Sequence, residues 1–155
     1  MIDPQHIHKY ARWFYLRGHT KIPEILRRFN YFLTGCDLPG HVKVGRNVRF
    51  QHFGQGVAIN INTEIGDDVV IMPGVVLGQN VRRGGQVVPL RKIIVGNRVL
   101  LGAGAKVIAS GSLTIGDDAV VGANAVVLGD VPAGMMALGI PARCSLPRAH
   151  DDDQK

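Results

Sequence analysis

A six-residue repeat of aliphatic side chains runs through most of this chain. Glycine follows the aliphatic residue in many of the repeats, as in Ile65-Gly66 and Leu101-Gly102. The aliphatic positions fall into two registers, each spaced in multiples of six. They are Ile65, Ile71, Leu77, Val95, Leu101 and Val107 in the first register, and Ile115, Val121, Val127 and Ala133 in the second.

A period of six matches neither an α-helix nor simple strand alternation, and it predicts an all-β solenoid with three flat sides. Each repeat would supply one short strand and one corner. Three repeats would close a coil, so residues about 18 apart would stack at the strand spacing of about 4.8 Å. The interior of such a coil is narrow. This agrees with the absence of Phe, Tyr and Trp after Phe53.

The repeat is broken in three places, and breaks in a solenoid predict loops. Three extra residues lie between Phe50 and Ile65, and two extra residues lie between Val107 and Ile115. Between Leu77 and Val95 the spacing holds but the pattern is lost, which predicts an extruded basic loop over residues 79–94. Loops on a rigid scaffold commonly carry function, so these breaks are where we look for a site.

The segment before the repeats predicts two short helices, Pro4–Arg17 and Ile22–Leu33. We expect residues 1–35 to cap the solenoid of residues 36–144, since a solenoid end needs cover, and residues 145–155 to form an acidic, disordered tail. The alternative is a peripheral membrane contact, because Arg27 and Arg28 adjoin aromatic residues. The apolar side chains predicted to pack on the solenoid are Trp13, Phe14, Leu16, Ile25, Leu26, Phe29, Phe32 and Leu33.

Composition excludes several classes of protein. No apolar run reaches the roughly 20 residues of a membrane span, and the polar start of the chain does not resemble a signal peptide. Cys36 and Cys144 are too few for a disulfide framework and predict reduced thiols. The net charge is +6, but the solenoid has no basic helix with interleaved aromatics, so we expect no nucleic-acid partner. We predict a cytoplasmic protein, near the inner face of the membrane if the helices touch it.

One of the six histidines stands out by its position. His6, His8 and His150 lie near the ends of the chain and are predicted to be solvated. His52 lies in the first break of the repeat, where a side chain can project from the coil wall. Taken alone, this placement leaves a structural and a catalytic role open.

The stretch from Cys36 to His52 resembles the start of the β-helix of serine acetyltransferases. In that family an aspartate precedes the catalytic histidine at a fixed distance along the chain, and Asp37 and His52 match it without a gap. The Gly-Ile-Pro-Ala-Arg sequence ending at Arg143 is also similar, so the resemblance covers residues 36–144. It implies a left-handed parallel β-helix and transfer of an acetyl group from acetyl-CoA. His52 would be the general base and Asp37 would orient it.

The resemblance also implies where coenzyme A binds. In the family the cofactor lies in a groove between neighbouring chains of a trimer, so we expect a homotrimer without a metal ion. The corner positions that match the groove are Gly78, Ala103 and Ala123. Candidate partners for the nucleotide phosphates are Arg82, Arg83 and Lys106.

Departures from the family pattern concern the acceptor. Gln51 stands where serine acetyltransferases have an aspartate, and Val87-Val88 stand where they have Arg-His. The ammonium and carboxylate of serine would lose charged partners. The two N-terminal helices followed by Cys-Asp-Leu-Pro resemble the serine-acetyltransferase-like enzymes of surface-polysaccharide biosynthesis. That resemblance implies a sugar hydroxyl as the acceptor, which Gln51, Asn60 and Asn62 would bind. L-serine is the alternative acceptor.

Two other classes share this fold. A zinc enzyme of the γ-carbonic anhydrase type needs three imidazoles per metal, but the solenoid has only His41 and His52 and no histidine pair five residues apart. A non-catalytic scaffold would not need an Asp37 and His52 pair. Both are less consistent with the sequence than an acetyltransferase.

Overall fold

The chain folds into two helices followed by a three-sided coil of short strands. The computed structural model describes residues 3–80, 85–86 and 89–146. Helix α1 spans Pro4–Leu16 and helix α2 spans Lys21–Thr34, within one residue of the predicted bounds. Within the described ranges, neither helix is long and apolar enough to cross a bilayer.

The coil has three faces, each a sheet whose strands come from successive coils. The first face contains β1 (Lys43–Val44), β4 (Thr63–Ile65), β7 (Lys92–Val95) and β10 (Ser112–Ile115). The second face contains β2 (Arg49–Phe50), β5 (Val70–Ile71), β8 (Leu100–Leu101), β11 (Val120–Val121), β13 (Met136–Leu138) and β14 (Arg143–Ser145). The third face contains β3 (Ala58–Ile59), β6 (Val76–Gln79), β9 (Lys106–Ala109) and β12 (Val126–Val127). All strand pairs are parallel except β13 with β14.

The length of each coil follows the three breaks in the repeat. Strands β3 and β6 pair Ala58 with Val76, which lie three unbroken repeats apart. Strands β2 and β5 pair Arg49 with Val70, which lie three repeats and the three extra residues of the first break apart. The coil from β5 to β8 is longer by two whole repeats, and the coil from β8 to β11 is longer by the two extra residues of the last break. These intervals match the numbers of extra residues counted in the three breaks. The predicted bounds of the long loop, residues 79–94, are wrong at both ends, because Gln79 still belongs to β6 and Lys92–Val95 form β7.

The last coil corrects one predicted inward position. The repeat placed Ala133 inside, but Ala133 is exposed and Val131 is buried in its place. Val131 bridges Ile115, which lies less than three repeats earlier, because the turn after Val127 is shorter than the repeat implies. Asp130 fixes this short turn by accepting a hydrogen bond from the backbone N–H of Thr114 at 2.7 Å.

Helix α1 closes the first coil through polar contacts with the backbone. The Nε2–H of His8 donates to the carbonyl of Val42 at 3.1 Å, and the Gln5 amide donates to Val48 at 2.5 Å. Gly40 permits this close approach, since a Cβ there would lie 3.0 Å from the backbone carbonyl of Ala11. Helix α1 therefore lies against the first coil through these polar contacts.

The predicted packing face of the cap is wrong. Six of the eight apolar side chains predicted to pack on the solenoid are exposed, with Phe32 84% exposed and Trp13 48% exposed, and only Phe14 and Leu26 are half-buried. The buried helix positions are held instead by small or polar residues: Ala11 lies against Gly40 of the coil end, and Asn30 donates from its side-chain amide to the Pro4 carbonyl of α1 at 3.1 Å. The outward aromatic face leaves the alternative of a membrane contact as an untested prediction.

His8 also differs from its prediction, because it is only 3% exposed. Burial, with the nearby charge of Arg12, lowers the pKa of His8 from 6.5 to about 4. Between these values the unfolded chain binds a proton at His8 and the folded chain does not, so stability falls as the pH falls from about 6.5 to about 4. His150 lies outside the described residues.

This linkage gives a measurable pH dependence. We expect the free energy of unfolding to drop by on the order of 3 kcal/mol more in the wild type than in His8→Gln when the pH falls from 7 to 4. Glutamine can still donate to the Val42 carbonyl but does not titrate. Urea unfolding at both pH values measures the difference. His6→Gln, in the exposed part of the same helix, should keep the wild-type slope, and equal slopes in all three proteins would contradict the assignment to His8.

Candidate active site

The corner between the second and third faces is a column of stacked turns. Backbone N–H groups link one turn to the next, from Gly74 to the carbonyl of Gln55 at 2.9 Å and from Gly104 to Pro73 at 2.8 Å. The column continues upward with Asn124 donating to Ala103 at 2.8 Å. A side chain at Gly104 would be strained, because φ is 70° and the Asn124 side chain would have to move away from an added Cβ. We call this column the corner column.

His52 lies at the foot of the corner column. The three extra residues of the first break are accommodated here, where a short 3₁₀ segment, Gln51–Gly54, follows β2 and is kinked at His52 and Phe53. Both His52 and Phe53 have left-handed backbones, with φ values of 49° and 60°, a strained conformation for side chains of this size. The His52 side chain is exposed, and within the described residues it makes no hydrogen bond. The imidazole is thus held out towards solvent by a strained backbone, a combination typical of functional sites.

Asp37 lies beside the same corner, on the lower edge of the third face. Its backbone N–H donates to Val57 at 2.8 Å, and its carbonyl accepts from Ile59 at 3.0 Å. The preceding residue, Cys36, packs under Gly54 of the His52 segment so closely that a Cβ on that glycine would lie 3.0 Å from its Sγ. Burial raises the pKa of the Cys36 thiol to about 12, so this cysteine is an inert core residue.

The two predicted catalytic residues therefore come from adjoining segments, but in this single chain their side chains are not linked. The Asp37 carboxylate is instead paired with Arg27 of α2. The Arg27 Nε lies 2.5 Å from Oδ1 and its second terminal nitrogen lies 2.7 Å from Oδ2. This ion pair raises the pKa of Arg27 further above its ordinary value.

Four of the predicted coenzyme positions lie in the corner column or on the third face beside it. Ala103 and Ala123 are exposed members of the corner column, above His52. Gly78 lies in β6 on the third face, opposite Ile108 of β9. Lys106 donates from Nζ to two corner carbonyls, those of Gly74 and Gly104, at 2.7 Å each. The remaining predicted positions, Arg82 and Arg83, lie outside the described residues.

Known proteins were compared with this chain in sequence and in structure. A serine acetyltransferase of Helicobacter pylori is 44% identical over 122 residues, which are 79% of this chain and 67% of that protein. The structure of soybean serine acetyltransferase complexed with serine superposes with a TM-score of 0.80 and 31% identity, over 92% of this chain and 56% of that one. This chain belongs to the serine acetyltransferase family.

Other comparisons agree with this assignment. A Brucella abortus serine acetyltransferase in complex with coenzyme A matches with a TM-score of 0.80 and 27% identity, over 90% of this chain and 53% of that one. No family model matches the sequence. The chain thus spans about two thirds of the Helicobacter pylori relative and a little over half of the two solved structures. The predicted fold, the family's left-handed parallel β-helix, is confirmed.

The predicted acceptor residues divide between two corners of this serine acetyltransferase homologue. Gln51 is half-buried and directly precedes His52 in the 3₁₀ segment. Asn60 and Asn62 lie beyond β3, at the corner between the third and first faces, because that strand carries the chain across the third face. Their side chains bind backbone there: Asn60 accepts from Asn62 N–H at 2.9 Å, and Asn62 donates to Leu90 at 2.9 Å. Within one chain, only Gln51 accompanies His52.

Sequence reasoning missed Arg27 as a residue of this site. It lies in the helical segment, outside the repeat, where the sequence groups Arg27 with Arg28 as a cationic surface. The sequence of residues 27–33 gives no indication that the Arg27 guanidinium turns back onto Asp37. The one available signal is the three-residue spacing of Arg27 and Asn30, which predicts that both lie on the same helix face, and Asn30 is buried.

Proposed function

We propose that this chain transfers the acetyl group of acetyl-CoA to the hydroxyl of L-serine. The observation that carries the proposal is the placement of His52, exposed on a strained segment at the foot of a column of small corner residues. The relatives named above support the reaction class. They also favour serine over the sugar hydroxyl that Gln51, Val87 and Val88 suggested.

In the proposed reaction, a nitrogen of His52 takes the proton of the acceptor hydroxyl as its oxygen attacks the thioester carbon. The C–O bond forms, the C–S bond breaks, and the proton passes from the imidazolium to the departing thiolate. A neutral imidazole suits this role because it accepts and returns a proton near neutral pH. Asp37 would stabilise the imidazolium once a neighbouring chain completes the site.

The cofactor would lie along the corner column, with its pantetheine arm near Gly78, Ala103 and Ala123. We propose that a second copy of the chain supplies the other wall of this groove in a homotrimer. Lys106 would contribute by stabilising the corner, since two of its three N–H donors are already bound to the carbonyls of Gly74 and Gly104. Its remaining donor is available to a phosphate or a water.

A sugar hydroxyl remains the second candidate acceptor. Gln51 lies next to His52 and offers a neutral amide, which suits an uncharged hydroxyl better than an ammonium group. Val87 and Val88, which lie outside the described residues, carry no charge for a carboxylate. A sugar acceptor would therefore satisfy this site without leaving an ionic group unpaired.

An acceptor panel separates the two candidates. We expect acetyl-CoA-dependent thiol release with L-serine at a kcat/KM of about 10⁴ M⁻¹s⁻¹ or more, the range of enzymes on their own substrates. L-alanine, which lacks the hydroxyl, is the matched control and should give only the background rate. A sugar or nucleotide-sugar acceptor with a kcat/KM at least tenfold above that of L-serine would replace serine by the second candidate. Background rates with every hydroxyl acceptor would reject the proposed function.

A further inference from the structure

Arg27 makes the most specific side-chain contact with the predicted catalytic segment. Its guanidinium meets the Asp37 carboxylate edge to edge, at 2.5 and 2.7 Å. Both side chains are about one-third exposed, so water competes only partly for this pair. A bidentate pair of this type fixes the plane of the carboxylate as well as its position.

The other side of Arg27 is held as well. Its remaining terminal nitrogen donates to Glu24, one turn earlier in α2, at 3.2 Å. Glu24 also binds Arg28 at 3.0 Å through its other oxygen. The guanidinium therefore lies between two carboxylates, and its own orientation is restricted before any substrate binds.

Asp37 is fixed at its backbone too, since it forms a parallel bridge with Ala58 of β3. With the backbone in the sheet and both oxygens on one guanidinium, the carboxylate has few alternative orientations. Each oxygen retains a second lone pair, so the ion pair leaves room for one more donor. The segment that carries His52 is packed against the neighbouring Cys36.

We propose that Arg27 is a positioning residue, which holds the Asp37 carboxylate in the orientation from which it acts on His52. This inference rests on the proposed roles of Asp37 and His52. Helix α2 lies outside the repeat. The proposal gives this helix a role in the acetyl transfer that takes place on the coil. The competing explanation is that the ion pair only anchors α2 to the coil end.

The chain offers a matched control for this proposal. Arg28 is the next residue, is also an arginine and also binds Glu24, but it is 79% exposed and does not contact Asp37. We expect Arg27→Gln to lower kcat by roughly 10- to 100-fold, because a misplaced catalytic group costs about this much. The KM for acetyl-CoA should change less than twofold. Arg28→Gln should match the wild type, and Arg27→Lys should recover part of the loss.

The mechanism through Asp37 is tested in the Asp37→Asn background. There Arg27→Gln should cause no further loss of kcat, because the carboxylate it positions is already gone. Losses that multiply, or an equal loss in Arg28→Gln, would assign Arg27 to anchoring and overturn the proposal. Circular dichroism and thermal unfolding of each variant establish that the fold is retained.

A spectroscopic measurement keeps this inference separate from the proposed reaction. The ring-proton NMR signals of His52 should shift in Arg27→Gln and in Asp37→Asn, but not in Arg28→Gln. Unshifted His52 signals in Arg27→Gln would overturn the positioning role whatever the activity. If the signals shift as expected while the wild type transfers no acetyl group to any acceptor, the proposed function fails and the positioning role stands.

Discussion

Replacing His52 with asparagine should lower acetyl-transfer turnover by on the order of 10² to 10⁴, the contribution of a general base. Asparagine is the informative substitution because it tolerates the left-handed backbone, at φ 49°, that His52 adopts. The amide cannot accept the hydroxyl proton, but the 3₁₀ segment should keep its shape. Initial rates of thiol release at saturating acetyl-CoA and acceptor measure the loss.

The matched control is His6→Asn, a second exposed histidine that lies on α1 and has no predicted role. It should retain wild-type turnover. Turnover within about threefold of the wild type in a folded His52→Asn protein would remove His52 as the base, since loss of general acid–base catalysis costs far more.

The second large effect concerns the stability of the coil. Leu101 is fully buried in β8 and stacks between Ile71 of β5 and Val121 of β11, which are also fully buried. Leu101→Ala should lower the free energy of unfolding by about 2–5 kcal/mol, because the strands above and below cannot collapse into the space. Urea unfolding at pH 7 gives the value.

Thr114→Ala serves as the comparison, since Thr114 points outward from β10 and is exposed. We expect it to change stability by less than about 0.5 kcal/mol. A loss below about 1 kcal/mol in Leu101→Ala would mean that the interior at β8 is not packed as described.

The sequence predicted the coil well because the repeat records which side chains point inward. Each break in the repeat adds a countable number of residues to one coil. The pairings of β2 with β5, β5 with β8 and β8 with β11 join residues that lie three repeats plus those added residues apart. Ala133 was misplaced because a repeat cannot reveal a turn that is shorter than itself. The inward position passed to Val131, which has the same aliphatic character.

The cap was harder to predict, because the polar contacts of α1 with the coil are made with backbone carbonyls rather than with other side chains. His8 looked like a solvated terminal histidine, but it donates to the Val42 carbonyl at a coil end that has no neighbouring strand on that side. Trp13, Phe29 and Phe32 were predicted to pack against the coil, but they are exposed. Arg27 could be recognised as a contact of Asp37 only after the helices had been placed on the coil.

The acceptor depends on charges that the repeat does not specify. Gln51 and the valine pair weigh against a serine site, whereas relatives that match most of the chain are named for serine. The acceptor panel decides between the two, since the proposed trimer would add groups from a neighbouring chain beside His52. The spacing of Asp37 and His52 is compatible with either acceptor.

The central claim is that acetyl transfer to L-serine occurs at the corner that carries His52, and detection of the product tests it most directly. The purified chain is incubated with acetyl-CoA and L-serine, and O-acetylserine is quantified by mass spectrometry beside the His52→Asn variant. We predict that O-acetylserine accumulates with the wild type and stays at background with the variant. Equal product from both proteins, or none from the folded wild type, would contradict the claim.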